Sequence, residues 1–512
     1  MRSNTLISAL CVGAMLAQVA QAQDAAPLSA IDWLGTQTTP AALPQPNTPD
    51  EPSTAQSATV PDVTVTPLDG PGARRVGLVP PSVTGLPDTL WSGSDGAALA
   101  EQLAQLPNLR LPALQQLTFT LLLAEAVPPA GQSAAFDLAR IDTLLAYGAL
   151  DPASALMDQA GADTSPAHFE RALDMALIAG REGQACAILR ARPDLSPGKA
   201  HEVFCAARNG DWSMAALQLG TARALDLLPE AQVAVLERFL DPELYEGEPP
   251  LPVPDTPDAL MFRAHAAMGE PIPTRSWPVV YANADLSDTA GWKTQIEAAE
   301  RLSRNGAVPG NRLLGLYTQR SPAASGGVWD RVSALQRFET AIGTGSAAAV
   351  SKTLPSVWRV MGAQRLRVPF ADLFAEPLEG FVLSGQTADI AYELLLLSPR
   401  YETAADVFPT RALQRPVLAA LAAGDVPDDL SADGVAGAAL AGFRTTPADA
   451  DILAQARSGA LGAALLDTIA LVHQGSTGDA AALATALATL RALGLEDVAR
   501  RTALQTLLLD LR

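Results

Sequence analysis

Cys186 and Cys205 are the side chains whose chemistry is easiest to read from position alone. Two thiols on an exported chain tend to pair, because the compartment that receives them is oxidising. They lie on consecutive helical stretches either side of a turn near Pro193 and Asp194, and counting outward from that turn brings them nearly level, as a bridge between antiparallel helices requires. A structural disulfide between Cys186 and Cys205 is expected, with two separate buried thiols as the alternative; no Cys-x-x-Cys redox motif is present.

Other patterns resemble catalytic motifs but lack their companions. Ser196-Pro197-Gly198-Lys199 has the Ser-x-x-Lys spacing in which a lysine activates a serine, yet Ser-Asp-Asn and Lys-Thr-Gly are missing and Ser196 reads as a helix N-cap. His201-Glu202-Val203-Phe204-Cys205 begins like a zinc-protease helix, but Cys205 stands where the second metal-binding His belongs. Gly343-Thr344-Gly345-Ser346 has the outline of a dinucleotide loop but follows a helical stretch instead of a strand, so it reads as an interhelical turn. His168, His201, His265 and His473 are scattered, and Asp449 and Asp451 sit where a helix dipole welcomes negative charge. A lytic transglycosylase needs a Glu followed by Ser, and the chain contains no such dipeptide. The expectation is therefore no catalytic residue, no metal ligand and no cofactor.

The elements that carry these residues come after an export signal. Arg2, the apolar run from Leu6 to Val19 and Ala20-Gln21-Ala22 form the three parts of a signal peptide, residues 1–22, with cleavage expected after Ala22. The run is too short for a comfortable membrane span, and Cys11 lacks the neighbours of a lipoprotein signal, so a soluble periplasmic chain without stable membrane insertion is expected. A formal charge of -20 with only 35 Lys and Arg argues against nucleic acid or anionic lipid as partner.

Residues 23–95 are crowded with proline, serine and threonine and read as a disordered tether. Two apolar islands interrupt it, Ile31-Asp32-Trp33-Leu34 and the run from Val76 to Trp91. Ile31, Trp33, Leu34 and Trp91 are the candidates for docking, either on the chain's own helices or on a partner. From residue 96 the spacing becomes helical. Phe169, Leu173, Ala176 and Leu177 form one stripe, Met214, Leu217, Thr221, Leu225 and Leu228 a second, and Leu504, Leu507, Leu508 and Leu511 a third. Seven cap-then-proline pairs mark helix starts: Asp151-Pro152, Ser165-Pro166, Ser196-Pro197, Asp241-Pro242, Ser321-Pro322, Ser398-Pro399 and Thr446-Pro447. A Pro-rich break at 247–257 divides the helical region into blocks 96–246 and 258–512. Trp277, Trp292, Trp329 and Trp358 read as packing anchors before sugar-stacking platforms.

Ala179-Gly180-Arg181-Glu182-Gly183 returns 27 residues later as Ala206-Ala207-Arg208-Asn209-Gly210, the mark of an αα-hairpin unit. The fold expected is all-α, an αα-hairpin repeat solenoid. The stretch from Ala172 to Leu228 and the Leu-Gly-Leu turn within Leu490 to Leu511 resemble tetratricopeptide-like repeats. The whole layout, signal then tether then Ala/Leu-rich helices, also resembles a group of exported alphaproteobacterial proteins labelled "antifreeze glycopeptide polyprotein". That label implies Ala-Ala-Thr repeats, and the nearest here, Ala484-Thr485-Ala486 with Ala488-Thr489, lies in an amphipathic helix. Periplasmic accessory proteins of the flagellar motor are similar in outline. These resemblances imply a helical-repeat scaffold or adaptor that holds envelope proteins. The alternative is a peptidoglycan or glycan binder, or a hydrolase of the lytic transglycosylase type.

Overall fold

Alanine, leucine and other helix formers without a branch at Cβ dominate the chain, and the computed structural model, which describes residues 74–509, is built from α-helices joined by short turns. Those before the Pro-rich stretch are α1 (Pro81–Thr84), α2 (Gly96–Ala104), α3 (Pro112–Leu123), α4 (Ser133–Tyr147), α5 (Leu150–Ala160), α6 (Pro166–Ala179), α7 (Gly183–Ala191), α8 (Lys199–Arg208), α9 (Trp212–Ala224) and α10 (Glu230–Leu240). Next come α11 (Ala259–Ala267), α12 (Trp292–Ser303), α13 (Gly310–Thr318), α14 (Val328–Gly343), α15 (Ala347–Ala363), α16 (Arg367–Glu379), α17 (Gly385–Leu396) and α18 (Ala404–Val407). The last are α19 (Pro409–Gln414), α20 (Pro416–Ala423), α21 (Gly434–Arg444), α22 (Ala450–Arg457), α23 (Leu461–Ser476), α24 (Ala480–Ala492) and α25 (Glu496–Leu508). Among the described residues there is no β-strand, only the isolated parallel bridges Val79 to Ala124 and Asp95 to Ala130. No helix among them is long and apolar enough to cross a membrane.

The helices stop in one recurring way. Among the described residues, ten turns pair an amide with the carbonyl five residues earlier and place a positive-φ residue just before that amide. That bond uses a carbonyl the helix end would otherwise leave orphaned. Eight of the ten carry glycine; the exceptions are Asp226 and Arg365. Gly180 and Gly210 are two of them, so turn recurs on turn at 30 residues and not at the 27 of the sequence match, which sets Gly183, the first residue of α7, against Gly210.

The proline-marked starts divide. Ser165 caps α6, and Asp241 caps the 3-10 turn Pro242–Tyr245. Asp151 and Pro152 fall inside the first turn of α5, Ser196 precedes α8 by three residues, and Ser321, Ser398 and Thr446 introduce turns or loops. Proline fixes only its own φ near −65°, which a turn satisfies as well as a helix. The caps that do accept backbone amides are Asp95, Ser165, Asp211, Asp258, Ser346, Asp449 and Asp479 at α-helices, most without a following proline.

Residues 74–95, placed in the tether by composition, are packed. The amides of Leu78 and Val79 bond the Leu123 carbonyl at 2.8 and 3.0 Å, and Glu125 returns a bond to Val79 at 2.9 Å. The guanidinium of Arg140, fully buried on α4, donates to the carbonyls of Val76, Leu122 and Ala124, at 2.9 Å for Val76. Burial lowers its pKa to about 10, which leaves the charge intact at neutral pH and makes those carbonyls its solvent. Leu90 and Trp91 are buried, and the Gly462 amide bonds the Leu90 carbonyl at 3.0 Å. Trp91 thus docks in cis, while Ile31, Trp33, Leu34 and the cleavage site at Ala22 lie outside the described residues.

Two further features depart from the linear reading. The Pro-rich stretch 247–257 is strapped down by Arg238, which bonds Pro249 O at 3.0 Å and Glu270 at 2.8 Å, and α11 beyond it packs on α6 and α8 before it. The described residues 74–509 thus lie within one compact unit, on both sides of that stretch. The ends of that unit also meet. α2 packs on α23 and α3 on α25, with Gln102 bonded to Asp467 at 2.9 Å and the Ala113 amide to Gln505 at 2.8 Å. A stack held by neighbours alone has no such contacts.

Candidate functional site

The residues that sequence singled out are placed one by one. Cys186 on α7 and Cys205 on α8 form a disulfide, their Cα atoms 4.9 Å apart and both side chains buried. Closing that loop of 19 residues stabilises by about 3 kcal/mol in the chain-entropy model. Ser196 and Lys199 do not meet each other; both hold Glu202, at 2.9 and 2.7 Å. Gly343 to Gly345 make the turn between α14 and α15, with Gly345 at φ +67°. Asp449 caps α22 through the amides of Asp451 and Ile452. His168 is buried with Nδ1 2.8 Å from the Ser165 hydroxyl, and no group of His, Cys, Asp and Glu among the described residues is placed to hold a metal ion.

The tryptophans of the second half are packing residues. Trp277 and Trp358 are buried, and Trp292 lies against Trp329 with ring centres 5.0 Å apart and its Nε1 donating to Leu316 O at 2.8 Å. A sugar-binding platform needs an open ring face, which the buried Trp277 and Trp358 lack, while Trp292 and Trp329 are half-buried against each other.

A cavity of about 830 Å³ opens beside α12. Glu300 on its wall is 1% exposed and accepts a two-pronged bond from Arg331, Nε to Oε1 at 2.7 Å and the second nitrogen to Oε2 at 2.8 Å. The Tyr317 hydroxyl, also buried, donates to the same Oε1 at 2.5 Å. Burial first, then the Glu300 charge, push the Tyr317 phenol far above its ordinary value, so it stays a donor. Arg301 bonds the carbonyls of Thr274 and Trp277, and Thr274 bonds Asp285. Most charged groups of this wall are thus engaged in joining α12 to α13 and α14 on one side and to the 270s loop on the other.

A second titratable cluster gathers around α6. Burial, then the charges of Glu170 and Asp258, push the Asp174 carboxyl up to about 7 against the pull of Arg171. An unfolded Asp titrates near 3.9, so between that value and about 7 the folded chain holds the extra proton. Stability is therefore highest below that window and falls as pH rises through it. Asp174→Asn should stabilise by about 2 kcal/mol at pH 8, the full shift being discounted for partial exposure, and by about nothing at pH 4. Urea denaturation at the two pH values checks this, and an equal effect at both would show that ionisation is not the cause.

The apolar stripe on α9 is real but faces outward. Met214, Leu217 and Leu225 are 44, 64 and 62% exposed, while the opposite face of Ala215, Leu219 and Ala222 is buried against α8 and α10. Ala215 and Ala222 let those helices approach around Leu219, so that face is covered and the one bearing Met214, Leu217 and Leu225 is not. Leu227, in the turn that follows, is exposed as well. Contiguous exposed apolar groups of this kind mark interaction surfaces on soluble proteins. No protein-family model, no curated protein and no solved structure matches the chain.

Proposed function

We propose that the chain is an exported scaffold or adaptor of the cell envelope, periplasmic once residues 1–22 are removed, which holds partner proteins through the uncovered face of α9. The observation that carries this reading is the Met214, Leu217 and Leu225 stripe, left in water by a fold that buries the other side of the same helix. TPR-like hairpins from α6 to α11 present that helix, and an acidic chain favours a partner whose apolar groove has a neutral or basic rim. An accessory of an envelope machine such as the flagellar motor fits the role.

The test is affinity capture from envelope extracts with the parent chain and with a Leu217→Asp, Leu225→Asp variant, both substitutions lying in water and so leaving the circular-dichroism spectrum unchanged. The parent should retain a reproducible partner that the variant loses at least about tenfold. Equal retention by the two, or clearance of peptidoglycan by the purified parent, would overturn the reading.

A further inference from the structure

The residue that breaks the rule of helix ends is Arg365. Of the ten turns with a positive-φ residue, eight use glycine and one uses Asp226, whose short polar side chain tolerates that region. Arg365 stands at φ +56°, a conformation that an arginine adopts only under strain. The turn around it is otherwise ordinary, with Leu366 N bonded to Met361 O at 2.9 Å and Leu366 buried. A glycine would do the structural work better, so the side chain itself needs a reason.

That side chain lines a cavity of about 340 Å³. Four of its twelve lining residues are arginines, Arg110, Arg304, Arg365 and Arg367, in a chain with only 35 Lys and Arg among 512 residues. They arrive from three distant places: the loop before α3, the end of α12 and the turn between α15 and α16. No carboxylate stands among the described lining residues, although the chain holds 55 Asp and Glu. Arg365 is exposed and makes no ion pair among the described residues, so a ligand entering the cavity can reach it. Arg367 stacks on Trp358 at 4.9 Å, gives one long bond of 3.4 Å to Leu508 O, and leaves its buried Nε without a partner. Arg304 spends its Nε on Glu300 O at 3.1 Å, and burial, with the neighbouring cations Arg365, Arg331 and Arg301, depresses its pKa against the pull of Glu300. Arg365 and Arg367 thus stand close to the Arg304 charge and short of protein acceptors, and such like charges repel unless an anion joins them.

We propose that this cavity is a binding site for a small oxyanion carrying two or more negative charges, a phosphorylated or polycarboxylate metabolite gripped by Arg304, Arg365 and Arg367. Guanidinium forks from several directions match such oxygens, and the volume suits a small molecule and not a polymer strand. Leu109, Val368 and Leu509 supply an apolar wall for the ligand's carbon skeleton. The inference is independent of the α9 face, which belongs to a different part of the chain.

Thermal melts and calorimetry on the full chain test it, with sodium pyrophosphate and sodium citrate as the two ligands and sodium chloride at matched ionic strength as reference. A saturable rise in Tm with either oxyanion beyond the chloride effect supports the site, and the tighter of the two assigns phosphate or carboxylate chemistry. Arg365→Gly should melt at the same or a higher temperature without ligand, because glycine fits φ +56°, and should bind about tenfold more weakly. Arg304→Gln should weaken binding similarly. No saturable effect in the parent, or unchanged affinity in Arg365→Gly, would overturn the proposal.

Discussion

Trp91→Ala is expected to lower stability by about 3–5 kcal/mol, among the largest losses any single truncation in this chain should produce. The indole is 1% exposed, lies 4.9 Å from the Phe136 ring, and fills space so closely that a Cβ on Gly462 would stand 2.2 Å from it. Its truncation leaves a cavity between α4 and α23 and unlatches residues 74–95. Two companions make the test specific. Gly462→Ala alone should also destabilise, because its new methyl collides with the ring, but the double variant should lose less than the sum of the two, since truncating the ring removes that collision and the methyl occupies part of the cavity left behind. Trp91→Phe should cost far less, because the indole Nε1 it removes is buried without a partner. Urea denaturation of the four variants measures all of this; an unchanged midpoint for Trp91→Ala would mean that the segment is not latched.

Glu300→Ala is the second large effect, an expected loss of about 3–5 kcal/mol. The carboxylate satisfies Arg331 twice and Tyr317 once, so its removal strands a cation and a buried hydroxyl between α12, α13 and α14. The loss comes from the groups left behind and not from the intrinsic worth of the ion pair. Replacing all three by apolar residues, Glu300→Leu with Tyr317→Phe and Arg331→Met, should therefore recover most of the stability. If the triple variant were as unstable as the single one, shape and not unpaired charge would be the source. The same denaturation series decides between them.

The helical class was legible because the apolar steps of three and four admit no strand, and the disulfide because two thiols counted level about a turn. Both rest on neighbours within some twenty residues, where backbone geometry leaves few choices. The stripe on α9 shows where that reasoning stops. Met214, Leu217 and Leu225 do share a face, but which face of a helix is covered depends on what the neighbouring helices bring to it, and α8 and α10 pack on Ala215, Leu219 and Ala222 instead. Composition likewise made residues 74–95 a tether, since nothing local announces that Arg140, 64 residues beyond Val76, holds its carbonyl.

Sequence alone thus determined the helical class, the acidic balance that disfavours nucleic acid, and the pairing of Cys186 with Cys205 as an expectation. Only the tertiary structure decided that the two ends of the described chain pack together, that α9 turns its leucines to water, and that arginines from three distant segments converge on one cavity. The reason is the range of the forces involved. Helix formation and capping are settled within a few turns of backbone, whereas burial and charge convergence depend on groups that become neighbours only after the chain has folded.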